Sequence, residues 1–140
     1  KLSTLELRAL VEGSKNINSK INRALLIHAA AGLIIVFFLA IFYNQIGALF
    51  LSKHYQESFF IIPLIALAFL IFNSVFIIET KFYATGKTRF ILTHHIFGAI
   101  FNITLNFLLI PYFGLLGAAI SAIFSFLSQL VISYYLMLRY

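Results

Sequence analysis

The chain has 140 residues, of which 62% are hydrophobic and only 10% charged, with a mean hydropathy of +1.02 and a formal charge of +6. So apolar a chain exposes more hydrocarbon than a soluble domain of this size can bury, which excludes a soluble globule and leaves nucleic acid an unexpected partner despite the positive charge. Cysteine is absent, which excludes disulfides and thiolate metal sites.

The first residue is Lys1, and no segment has the layout of a signal peptide, so the chain reads as a piece of a longer protein. Residues 1–19 are expected to form a cytoplasmic interfacial segment. Ser3 and Glu6 have capping-box spacing, and the helix they start gathers Leu7, Leu10 and Val11 against Glu6, Arg8 and Glu12 before Gly13 ends it. The polar run 14–19, SKNINS, then reads as a linker, with Asn18 or Ser19 as a cap for the first membrane helix. An amphipathic helix of this kind lies on the headgroups.

Residues 20–140 are expected to be a four-helix transmembrane part. A bilayer core of about 30 Å needs roughly 20 apolar residues per helix, because no backbone group can stay unpaired in hydrocarbon. Four windows qualify: span A over 24–43, with an interfacial extension over 46–51; span B over 59–78, with Pro63 in its first turns; span C over 90–110; and span D over 115–138. Membrane strands would alternate polar and apolar residues over about ten positions, whereas these windows are continuously apolar and twice as long. The expected fold class is therefore all-α, a polytopic helical bundle.

Nine basic residues, Lys1, Arg8, Lys15, Lys20, Arg23, Lys81, Lys87, Arg89 and Arg139, fall on one side of this layout, and only Lys53 on the other. By the positive-inside rule the N-terminus, the 79–90 loop and the C-terminus are cytoplasmic, and the expected location is the cytoplasmic membrane.

No span holds an Asp, Glu, Lys or Arg well inside it, so no intramembrane ion-coupling carboxylate is expected in these residues. Neutral polar groups are arranged instead. Gly98, Asn102 and Asn106 recur at i, i+4, i+8 along span C, and Gly117, Ser121 and Ser125 do so along span D, continued by Ser128 and Gln129; His28 stands above Gly32 in span A, and Asn73 is alone in span B. Two readings stay open, helix glue and the lining of a wet cavity; the amides of Asn102, Asn106 and Gln129 are the costliest to bury without partners. Adjacent histidines point about 100° apart on a helix, so His94 and His95 make a poor two-ligand metal site alone, and an interfacial position accounts for them. Lys87 and Arg89 could meet phosphate, although the positive-inside rule explains them equally. There is no phosphate-binding glycine loop, no Ser/His/Asp set and no paired carboxylates, so no catalytic residue, metal, cofactor or enzyme activity is expected.

Between spans C and D, Pro111 is expected to stop the helix and Gly114 to allow a tight reversal, with 111–114 as the link and Gly117 letting the two helices approach. The segment 102–122, NITLNFLLIPYFGLLGAAISA, resembles the N-x-x-L-N-x-x-L-I-P-x-x-G-x-x-G-A-A hairpin of polysaccharide transporters, the Wzx-like oligosaccharide flippases of the multidrug/oligosaccharidyl-lipid/polysaccharide exporter superfamily (MATE-like). LFLSKHYQES at 49–58 is similar to that family's exit motif, with Leu51 and Ser52 near its usual glycine, and FYATGKTRF at 82–90 to its A-x-G-K cytoplasmic loop.

The resemblance implies a transporter of two six-helix lobes, with these spans in the C-terminal lobe and a missing N-terminal lobe of the same chain as partner. It implies translocation of an undecaprenyl-linked oligosaccharide across the bilayer by alternating access. Asn73, Asn102, Asn106 and Gln129 are then the groups able to bond sugar hydroxyls, and Lys87 and Arg89 those able to attract the pyrophosphate. A cation-coupled multidrug exporter and a peptidoglycan-precursor flippase remain alternatives within the superfamily. A structural membrane subunit and a membrane-embedded transferase remain alternatives outside it.

Overall fold

In a computed structural model the described residues are 4–50 and 53–140. Helix α1 runs Thr4–Phe50, a 3-10 turn follows at Lys53–Ser58, and α2 (Ile61–Ala84), α3 (Arg89–Phe113) and α4 (Leu115–Arg139) complete the chain. The described residues contain no strand, and the fold is an all-α bundle. Four helical stretches, Asn16–Phe50, α2, α3 and α4, are long and apolar enough to cross a bilayer, so this is a transmembrane protein.

Helix α4 packs against both α2 and α3, while α1 lies along α2. The apolar outer faces of α1 and α3 stay open, as a surface meant for lipid or for further helices must. All four helices meet at one end, where Ile21, Ile78, Phe82, Ile91 and Met137 form the buried core. That end carries Lys81, Lys87, Arg89 and Arg139, so the grouping of charge expected from the sequence matches the up-and-down course of the helices.

Three boundaries differ from expectation, each for a local reason. Helix α1 does not stop at Gly13, and 14–19 is helix rather than linker. One glycine costs a helix only about 1 kcal/mol. Stopping there also needs a left-handed residue, and among the described residues only Gly86 and Gly114 have positive φ. Ser3 lies outside the described residues, as do the side chains of residues 4–12 on which the amphipathic reading rests, and Leu51 and Ser52 of the exit motif. Beyond a kink at Phe42, α1 continues to Phe50 and brings Gly47 against the Phe59 ring.

Helix α2 runs six residues beyond the expected end of span B, so most of the expected 79–90 loop is helical and only 85–88 is link. The real stop is a Schellman motif: Gly86 at φ 68° lets its own N–H reach Tyr83 O at 3.3 Å and the Lys87 N–H reach Phe82 O at 2.9 Å. Hydropathy falls at Glu79, but the backbone ends where glycine allows it.

Pro111 lies inside α3 instead of ending it, and the helix reaches Phe113. Proline removes one N–H donor from the last turn without ending the helix, whereas Gly114, at φ 55° and ψ −131°, makes the reversal and is the only residue between α3 and α4. Gly114→Ala is expected to cost about 1–3 kcal/mol, as non-glycine residues in such backbone regions do. Unfolding of the purified protein in mixed micelles measures it.

Candidate functional site

The six-residue extension of α2 carries two charges into the bundle. Val75, Ile78, Glu79 and Phe82 share the buried face of α2, and Glu79 is completely inaccessible. Helix α3 turns Ile91, His94 and Gly98 inward from the opposite side. The carboxylate meets both histidines: His94 Nε2 stands 2.8 Å and His95 Nε2 2.7 Å from the same oxygen, Glu79 Oε1. Glu79 and His94 lie five residues from the ends of their helices, about 8 Å at 1.5 Å per residue. This corrects two expectations. A carboxylate does lie inside the spans, and the adjacent histidines do converge, because a long side chain from the neighbouring helix sits between them.

The surroundings are largely apolar. His94 is buried with Glu79, and His95 is two-thirds buried beneath Phe72 and Phe76, whose ring centroids lie 6.4 and 6.2 Å from its own. Phe72 in turn packs on Phe126 of α4 at 4.6 Å. Taking a carboxyl group out of water is costly, and the two imidazole nitrogens on Oε1 are the polar groups that offset it. Glu79 Oε2 and His94 Nδ1 have no partner at all.

Lys81, also buried, does not neutralise Glu79. Its ammonium donates to Asn18 Oδ1 at 2.8 Å and to Met137 O at 2.6 Å, tying α1, α2 and α4 together at the charged end. Lys87 donates to Tyr140 O at 3.3 Å and lies over the Tyr140 ring, and Arg89 is exposed at the start of α3.

The expected stripe on α3 proves to be one step longer. His94, Gly98, Asn102 and Asn106 follow one another every four residues, so the stripe begins at the carboxylate. Its partner is the buried side of α4, formed by Gly117, Ser121, Ser125, Gln129 and Ser133. The two meet where Gly98 admits the Gln129 amide and where Gly117 touches the backbone of Leu109. Ser128, expected to continue the stripe, is half-buried and donates to Ser125 O of its own helix.

Part of this seam satisfies itself. Asn106 Nδ2 donates to Asn102 Oδ1 at 2.9 Å, and Ser121 Oγ donates to Gly117 O. Much of it does not: Asn106 Oδ1, Gln129 Oε1, Ser125 Oγ and Ser133 Oγ are buried without partners. Asn106 also edges an apolar groove of about 340 Å³ lined by Ile103, Phe107, Ile110 and Pro111. Asn73 stands apart on the exposed face of α2. His28 and Gly32 act as packing groups, since the His28 ring reaches Leu70 O at 3.3 Å and Gly32 accommodates the Leu70 side chain.

No protein family, no curated protein and no solved structure matches this chain. The site therefore has to be understood from its own chemistry. Its central residue, Glu79, has two sequence signals, and the first is that a helix drawn to the glycine of TGK, rather than to the last apolar residue, includes it. The i+4 continuation from Asn106 back to His94 is the second.

Proposed function

We propose that the chain is part of a membrane transporter that moves a lipid-linked oligosaccharide from the cytoplasmic to the outer leaflet by alternating access, within a C-terminal lobe. The observation that carries transport is the polar seam between α3 and α4, with its buried, unpartnered Glu79, His94, Gln129, Ser125 and Asn106 atoms. Each such atom costs about 1–3 kcal/mol in a static bundle, which carbon in its place would avoid. Intramembrane polar and ionisable groups of this kind mark substrate and ion pathways. In an alternating-access cycle the faces of a seam part, and its groups bond water or sugar hydroxyls instead.

The substrate class rests on the hairpin at 102–122 and its resemblance to oligosaccharide flippases. On this reading Asn102, Asn106 and Gln129 face the sugar as the seam opens, and Asn73 serves from the open face of α2. Lys87 and Arg89 attract the pyrophosphate at the cytoplasmic mouth, the side assigned by the nine-to-one distribution of basic residues. The polyprenyl tail stays in the bilayer, and the partner is the rest of the same chain. No covalent chemistry occurs.

The test is complementation of a flippase-null strain by the full-length gene carrying Asn102→Leu with Asn106→Leu. Glycan export is expected to fall at least tenfold at normal protein level; undiminished export would sink the cavity role. A second reading, a cation-coupled multidrug exporter, is favoured by Glu79, since such exporters often carry an acidic residue in this lobe. Drug accumulation in cells expressing the gene separates the two: an exporter lowers it, and an oligosaccharide flippase leaves it unchanged.

A further inference from the structure

We propose that Glu79, His94 and His95 form a binding site for a divalent transition-metal ion of the zinc class. The inference is independent of what the transporter carries. The three residues each offer a ligand atom, and these atoms lie within 4.8 Å of one another. Both imidazole Nε2 atoms already converge on Glu79 Oε1, at 2.8 and 2.7 Å.

Zinc takes nitrogen and carboxylate oxygen at about 2.0–2.2 Å, so ligands around a tetrahedral ion stand roughly 3.3 Å apart. Each imidazole has to draw back from Oε1 by about 0.5 Å, and ligand atoms that now stand up to 4.8 Å apart have to close toward that spacing, which rotation of the histidine and glutamate side chains supplies. Each neutral imidazole then carries its single proton on Nδ1 and presents the Nε2 lone pair to the ion.

Charge argues in the same direction. A fully buried carboxylate has no cationic Lys or Arg on it among the described residues, because Lys81, two residues on, is held by Asn18 and Met137 O. A dication placed between the carboxylate and two imidazoles acts at low dielectric, where its attraction is far stronger than in water.

The donor set selects the metal. Two imidazoles and one carboxylate suit Zn²⁺, Ni²⁺, Cu²⁺ or Fe²⁺, whereas Ca²⁺ and Mg²⁺ require six or more oxygens or a largely aqueous shell. Three protein ligands leave one position open, the form of an exchangeable site rather than a closed structural one. His95, one-third exposed, provides the way in.

The experiment uses the full-length, tag-free protein in lipid nanodiscs after chelator treatment. Calorimetric titration with Zn²⁺ is expected to show one ion per chain, unaffected by millimolar Mg²⁺, and Co²⁺ is expected to give the intense visible absorption of a tetrahedral site. Glu79→Gln and His95→Ala should each weaken Zn²⁺ binding at least 100-fold. His95 is partly exposed, so its variant keeps the test decisive even where Glu79→Gln does not fold. Absence of binding, equal affinity in His95→Ala, or displacement by Mg²⁺ would overturn the proposal.

Discussion

His94→Ala will lower the stability of the bundle by about 3 kcal/mol, through the loss of a buried hydrogen-bond partner together with the cavity left by the ring. The loss has two parts. A large imidazole leaves a void in a packed interior, and Glu79, wholly inaccessible, retains only the His95 donor. His95→Ala will cost about 1 kcal/mol, because its side chain is one-third exposed and water can take its place. Glu79→Leu with His94→Leu will recover most of the loss, since replacing both members of a buried polar pair by carbon is close to neutral. A double-mutant cycle, read from unfolding in mixed micelles, checks this. Losses that simply add would show that the two side chains are not coupled.

Gly117→Ala will cost about 3 kcal/mol and loosen the α3–α4 pair. A Cβ on Gly117 would stand 2.5 Å from Leu109 O and 2.7 Å from Leu109 C, both backbone atoms of the neighbouring helix. No rotamer change relieves that contact, so the helices must move apart, with an overpacking cost of about 1–3 kcal/mol plus the close packing lost along the seam. At Gly98 the obstacle is the Gln129 side chain, which can swing away, so Gly98→Ala will be milder. Gly13→Ala meets nothing within 4 Å and will stabilise α1 by up to about 1 kcal/mol. Thermal unfolding of the three variants should fall in that order. Equal losses at Gly13 and Gly117 would remove close backbone approach as the cause.

The hairpin is the most legible part of the sequence because its chemistry is local. Gly114 needs no partner to adopt φ 55°, and Gly117 needs only a helix across the turn. Pro111 takes one donor from the last turn of α3 but does not set the boundary, which falls at the glycine three residues on. Asn102, Asn106 and Gln129 are recognisable as polar stripes from their spacing, yet the spacing does not say which face they meet. Two of them bond through Asn102 Oδ1 and Asn106 Nδ2, and the third fills the notch at Gly98.

Glu79 shows the opposite case. Composition argues for ending the helix at Ile78, since a carboxylate in hydrocarbon is costly, and a span without charge is the cheaper assumption. The cost falls only when two imidazoles arrive from the next helix, the first of them 15 residues further along, and no local pattern announces them. The same holds for Lys81, whose partners Asn18 and Met137 are 63 and 56 residues away.

By itself the sequence determined the solvent, the number of spans, their alternating course and the tight reversal between the last two. Those depend on total apolar length, on the count of basic residues and on the backbone freedom of single glycines, all properties of residues in isolation or of immediate neighbours. Only the tertiary structure decided that a carboxylate is buried, that two histidines share it and that the polar stripes of α3 and α4 continue from it as one seam. Burial of charge depends on what other helices bring to it, and that is set by packing across the bundle.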